Sequence, residues 1–409
     1  LNLRGATVLI NRMKNTPQDE LQRRIKALQR GMESEAIDGA LIVQNADLFY
    51  FTGTVQQAYL FIPSAGDPLF FVRKNAERVR QESALDTIIP LHSLRDLPKR
   101  LADHGYERIH RLGMELDVLP VNHYFLYKNV IQPGEIVDIW PLIRVIRAVK
   151  SEYEIGIMRE TAVLSDFIVE TCRNNLREGL TDIELAAIVE AAARARGHHG
   201  FIRTRTFNQE VYWGHLISGP DAAEIAYVDG TTGGRGLSNA FPQGSGWRTI
   251  GRHEPVIVDL CAVMYGYHID QTRTLAVGTL PDKLDKACNV ALEIAHELGK
   301  MISAGVKVGD LYEKAKHMAE SHHLGKHFMG YGAQRIGYCG HGIGLELDEF
   351  PVIAKGQNVI LSYGMVIAVE PKFHFPGEGV VGVEDTFVVI DEGCEKLTHS
   401  SYGSDVTKR

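Results

Sequence analysis

Four acidic side chains lie inside strand-like apolar sequence, and any fold of this chain must give them counter-charge, a proton or solvent. Asp259 and Asp270 stand eleven residues apart in VIVDLCAVMYGYHIDQTRTLAVG, and Glu370 and Glu384 fourteen apart in VIAVEPKFHFPGEGVVGVEDTFVVI. Asp259 follows VIV and precedes LCAV, and Glu370 follows VIAV, so an unpaired ion would be costly to bury at either place. The aspartates are symmetric about a point between Met264 and Tyr265, with YGY as a plausible turn, and the glutamates about Gly377 in PGEG. In simple antiparallel hairpins each pair would be cross-strand neighbours on one face, with Cβ atoms about 5 Å apart. Like charges placed so destabilise a sheet unless a cation or a solvated face compensates them.

His341, in YCGHGIGLELDEFP, falls between the pairs, and Gly340, Gly342 and Gly344 keep the local backbone free of side chains. Taken singly, each carboxylate reads as a solvated, protonated or salt-bridged group, and GHGIG as a tight turn with an incidental histidine. Taken together, four carboxylates balance two divalent cations in charge, with imidazole as the one nitrogen ligand. Oxygen-rich ligation of this kind suits Mn²⁺, foremost here, or Co²⁺, Zn²⁺ or Fe²⁺. A cation pair can hold a bridging water, lower its pKa and polarise a carbonyl.

At 409 residues the chain is long for one domain. A net charge of −7 without a Lys/Arg block points away from nucleic acid and from a membrane surface. No apolar run approaches a bilayer span, and LNLRGATVLINRMKNTPQDE lacks the apolar core of a secretory signal, so a cytoplasmic location is expected. Five scattered cysteines without a CxxC spacing argue against a disulfide framework or a structural zinc site. Cys339 reads as a small packed side chain.

The first part alternates helix and strand signals. Thr16-Pro17 opens a helix whose buried face is Leu21, Ile25, Leu28 and Met32, and ALIV (40–43), LFFV (69–72) and RIHRLGME read as strands. This is an α/β domain over residues 1–148, followed by a second domain over 149–409 that opens on an S-x-x-E capping box, Ser151 and Glu154. The second domain reads as a duplication. A long helix (about 152–177), Gly179 and a helix capped by Thr181 and Glu184 lead to the Asp pair; a helix (about 282–303), Gly305 and a helix (about 309–323) lead to the Glu pair. His198 and His199 sit just past a helix end, where a cationic capping role is expected.

The order Asp, Asp, His, Glu, Glu, with HGIGLEL, VEP and GVEDT around the last three, resembles the M24 metallopeptidases of pita-bread fold, nearest the aminopeptidase P and prolidase branch. The resemblance implies an α+β chain: a pita-bread catalytic domain with a pseudo-two-fold repeat, preceded by an α/β creatinase-type N-terminal domain. It implies a dinuclear Xaa-Pro aminopeptidase or Xaa-Pro dipeptidase acting on short peptides, and a homodimer. Asp259 would chelate one metal, Asp270 and Glu384 would bridge both, His341 would bind the other, and Glu370 would join ligation to general-base work.

Two positions depart from the family pattern. Asp348 stands where relatives have a histidine seven residues after the ligand histidine, and Gln243, in FPQG, where they have the histidine of a PHG-like segment. These positions contact substrate in the family, and His215, in YWGHLISG, is a candidate to supply the missing imidazole. The departures keep open a metal-dependent lyase or hydrolase acting on a small molecule. A non-catalytic binding module is the remaining alternative, although such members generally lose ligands that this chain keeps.

Overall fold

The computed structural model describes residues 14–407. The N-terminal stretch read for a secretory signal therefore falls largely outside the described residues. The described residues divide into two compact units, 14–147 and 148–407.

In the first unit Pro17 is the extended residue ahead of the helix Gln18–Ser34, one place later than the Thr16 cap expected, and no side chain caps that end. The face expected from periodicity is the buried one, with Leu21, Leu28 and Met32 fully enclosed. Six strands, β1 (Gly39–Ile42), β2 (Ala58–Pro63), β3 (Leu69–Val72), β4 (Ile88–Pro90), β5 (Arg111–Met114) and β6 (Glu135–Asp138), form one mixed sheet in the order β4-β3-β2-β1-β5-β6. Leu41, Phe61, Phe71 and Leu112 pack its core. Arg147, entirely buried, is neutralised by Asp47 at 2.8 Å.

In the second unit Ser151 and Glu154 close a reciprocal capping box on the helix Glu152–Asn175, and Thr181 and Glu184 another on Asp182–Ala195. Helices Asp282–Met301 and Val308–Ser321 occupy the equivalent places in the second half. The duplication extends to the hydrogen bonds. Gly179, at φ 90°, donates to the Ile250 carbonyl, and Ile250 donates back to Leu180. Gly305, at φ 92°, donates to Leu361, and Leu361 donates back to Val306. A residue with a Cβ is strained at that φ, so glycine recurs at the same place in both halves. Each half buries its own apolar core, one around Leu164, Ile168, Leu185 and Val258, the other around Leu284, Ile294, Leu311 and Ile367.

The strands of this unit are β7 (Gly214–Ser218), β8 (Val256–Met264), β9 (Tyr267–Leu275), β10 (Tyr338–Gly342), β11 (Glu349–Ala354), β12 (Val366–Val369), β13 (Lys372–Phe375), β14 (Gly379–Gly382), β15 (Asp385–Val389) and β16 (Cys394–Lys396). They form sheets β7-β8-β9, β11-β10-β12-β15-β16 and β13-β14. Thr272 of β9 and Glu384 exchange two backbone hydrogen bonds, which stitch the first sheet to the second. No described helix is long and apolar enough to cross a membrane.

His198 departs from the expected cationic cap. Its Nδ1 accepts from Gly200 N–H, its Nε2 contacts the Cys261 carbonyl at 3.0 Å, and its ring stacks on Trp213. That tautomer is neutral. Burial lowers its pKa to about 4, and burial lowers that of His268, whose Nε2 accepts from Arg203 N–H, to about 3. The unfolded chain takes up these protons near pH 6.5, whereas the folded chain refuses them until about pH 4 or below. Stability from the two neutral rings is therefore complete above pH 6.5 and is lost as pH falls through that interval. Denaturant melts from pH 7 to 4 should show this slope, and His268→Gln should lower it by about one proton. An unchanged slope in the variant would refute the assignment.

Candidate metal centre

The β8–β9 hairpin turns on Tyr265 and Gly266, both at positive φ (50° and 87°), as a two-residue type I′ turn requires. This turn lies one residue beyond the expected centre. Asp259 consequently faces Thr272, and Asp270 faces Cys261. The aspartates share a face as expected, because the period is two, but they are diagonal neighbours instead of direct ones. The glutamate hairpin keeps its expected centre at Gly377, with Lys372 opposite Gly382 and Val369 opposite Asp385. Glu370 and Glu384 fall in that same register, at the gap between the two ladders.

His341 lies within β10, opposite Ala368 of β12, so GHGIG begins as a strand and not as a tight turn. The flanking glycines answer to close backbone approach. A Cβ at Gly340 would stand 2.4 Å from the Ala368 carbonyl oxygen, and one at Gly342 2.3 Å from that of Phe350. Glu370 N–H donates to the Cys339 carbonyl, which fixes the start of the glutamate segment beside β10.

The five side chains read from sequence converge on one small cavity, which His215, Thr231, Thr232 and Asp348 also line. Asp270, His341 and Glu384 each present a ligand atom within 4.8 Å of the other two. His341 Nε2 is 3.9 Å from Glu370 Oε1 and 3.8 Å from Glu384 Oε1. Glu384 Oε1 is buried with no hydrogen-bond partner, an arrangement that costs free energy unless a cation or water meets it. Burial and the Asp259 carboxylate push Asp270 up to about 7, and burial with Asp270 raises Glu384 well above the usual range. Burial opposes the charged form of His341, yet Asp348 and the glutamates raise it to about 9. Such mutually raised groups mark an excess of negative charge, and the donors fit a divalent cation.

The remaining residues occupy definite places. Asp348 Oδ1 is 3.6 Å from His341 Nδ1, and its Oδ2 accepts from Gln209. His215, on β7, stands opposite Asp259. Its Nδ1 is 2.6 Å from the Thr232 hydroxyl, which donates to Asp259 Oδ2, and its Nε2 is 3.1 Å from Gln243 Oε1. Gln243 Nε2 donates to Tyr227 and to the Glu210 carbonyl, so its amide is engaged on both sides. Cys339 is packed in the apolar core, and burial holds its thiol far above the ordinary range.

Sequence reasoning missed Lys372. Its Nζ is fully buried, 2.8 Å from Glu370 Oε2, 3.0 Å from Glu384 Oε2, 3.3 Å from Asp259 Oδ2 and 2.7 Å from the Thr231 hydroxyl. Burial works against the ammonium, but Asp259, Glu370 and Glu384 hold its pKa well above the usual lysine value. A signal was present, because Lys372 lies two residues after Glu370 and so on the same face. Thr231 and Thr232 come from the loop GTTGG, which carries no periodicity to expose them.

Known proteins resemble nearly the whole length of the chain. Residues 156–391 match the model of metallopeptidase family M24, and residues 24–149 that of the creatinase/prolidase N-terminal domain. An Xaa-Pro dipeptidase of Pyrococcus horikoshii is 26% identical over 383 residues, covering 93% of this chain and 98% of its own. The structure of an Xaa-Pro dipeptidase from Bacillus anthracis superposes with a TM-score of 0.80 at 25% identity, over 94% of this chain and 99% of that one. The fold is also that of an X-Pro aminopeptidase from Thermotoga maritima, with a TM-score of 0.76 at 21% identity over 93% and 99% of the two chains. A creatinase-type N-terminal domain followed by a pita-bread domain whose paired carboxylates meet one histidine places this chain in metallopeptidase family M24.

Proposed function

We propose that this protein is a metal-dependent peptidase that cleaves the bond before proline in Xaa-Pro dipeptides or at the N-terminus of short Xaa-Pro peptides. The observation that carries the reading is the convergence of Asp270, His341 and Glu384, whose Oε1 is buried with no hydrogen-bond partner, with Glu370 Oε1 3.9 Å from His341. The named Xaa-Pro dipeptidases among its relatives support the substrate class. Asp270, His341 and Glu384 would hold a divalent cation, Mn²⁺ first among the candidates, which when bound would supply Lewis-acid polarisation of the scissile carbonyl. Lys372 and Thr231 fix Glu370 Oε2 and leave Oε1 directed toward His341. Glu370 takes a proton from the attacking water and passes it to the leaving nitrogen. Substrate contact falls to His215, which Thr232 and Gln243 hold at the cavity wall, and to Asp348 beside His341. A cytoplasmic homodimer completes the reading.

Purified protein supplied with Mn²⁺ or Co²⁺ should release free proline from Xaa-Pro dipeptides, or a single residue from Xaa-Pro-Xaa peptides. Loss of activity with chelator and recovery with metal should accompany it. A metal-replete protein that cleaves neither class would defeat the substrate assignment. The departures at Asp348 and Gln243 then favour a small non-peptide substrate for the same centre.

A further inference from the structure

We propose that this site binds one divalent cation, and that the Lys372 ammonium stands where a second would otherwise bind. The inference rests on the metal-centre reading but is independent of the peptide substrate. Both glutamates divide their oxygens in the same way. Glu370 Oε1 and Glu384 Oε1 lie 3.9 and 3.8 Å from His341 Nε2, whereas Glu370 Oε2 and Glu384 Oε2 lie 2.8 and 3.0 Å from Lys372 Nζ. The Oε1 atoms, His341 and Asp270 surround one space. The Oε2 atoms and Asp259 Oδ2 surround the lysine, with the Thr231 hydroxyl as a fourth neighbour.

An ammonium has three hydrogens to donate, and three carboxylate oxygens with a hydroxyl provide more acceptors than it needs. A divalent ion ligated by those oxygens would sit at about 2.0–2.2 Å from each and would have to fall within the volume of Nζ. The lysine has no evident exit. Its side chain is fully buried, and it leaves β13 opposite Gly382, where a Cβ would come within 2.6 Å of Lys372 Cγ. The bare glycine makes room for the stem, so the ammonium is built into the hairpin. Lys372 is thus a positioning residue: it neutralises Asp259 without a bound ion and orients both glutamates toward the remaining cation.

Equilibrium dialysis against Mn²⁺ with elemental analysis, paired with Mn²⁺ electron paramagnetic resonance, tests the proposal. The wild-type protein should bind one equivalent and give the six-line signal of an isolated ion. Lys372→Ala should bind two equivalents, a twofold rise, and show a spin-coupled pair. Two equivalents or a coupled signal in the wild type would overturn the proposal, as would no binding at all. If Lys372→Ala does not fold, Lys372→Met provides the uncharged control of similar length and should gain no coupled signal, and the wild-type stoichiometry still decides. One equivalent bound without Xaa-Pro cleavage would defeat the substrate assignment and leave this inference standing. Two equivalents with cleavage intact would do the reverse.

Discussion

Replacing Glu370 by glutamine should reduce kcat by about 10²- to 10⁴-fold while leaving most of the metal in place, because general-base catalysis contributes on that scale. The single amide oxygen can face His341, as Glu370 Oε1 does at 3.9 Å, or accept from Thr231 and Lys372, as Glu370 Oε2 does, but not both. What it cannot do is take a proton from water. KM should change little, since the loss falls on the transition state alone. Metal content measured beside steady-state kinetics separates the two effects. Retained turnover at full occupancy would reject Glu370 as the base, and loss of the metal would make it chiefly a ligand.

Arg273→Met should be strongly destabilising, by about 3 kcal/mol, because it removes the close, buried cation from a buried carboxylate. The Arg273 side chain is enclosed and pairs with Asp385 at 2.8 Å. It also donates to the carbonyls of Thr272, Glu384 and Ser400, and its guanidinium lies 4.3 Å from the centre of the Tyr402 ring. Asp385 keeps the Thr398 and Tyr402 hydroxyls and has Lys396 Nζ at 4.0 Å, which softens the loss without replacing the close pair. Thermal melts should fall by roughly 10 °C, given the size of the unit. The double variant with Asp385→Asn should recover part of that loss, because the unpaired charge is gone. A variant within about 1 kcal/mol of wild type would show that water or relaxation compensates the site.

The parts of this fold legible in sequence are those set by local chemistry. LFFV forms the strand expected at 69–72, and both capping boxes form as written, since a cap needs only residues three apart. The glutamate register was legible because Gly377 sits in an unambiguous turn. The aspartate register was not, because the turn uses Tyr265 at positive φ, a conformation that a tyrosine rarely takes and that composition does not announce. His198 was misread for a different reason: its stacking on Trp213 and its hydrogen bond to Cys261 are tertiary, and position after a helix says nothing of them. Lys372 was overlooked because attention to acidic ligands treats a neighbouring lysine as solvent-facing, which is the usual fate of lysine.

The reciprocal hydrogen bonds between Thr272 and Glu384 carry one more consequence. They make the joint between the two half-domains and the cradle of the cation the same stretch of backbone, with Asp270 two residues to one side and Glu384 itself on the other. Neither half, excised, would hold the centre, since each owns only part of the cradle. A fluctuation that opens the joint would silence the centre while both apolar cores stayed packed, so inactivation should precede unfolding on heating.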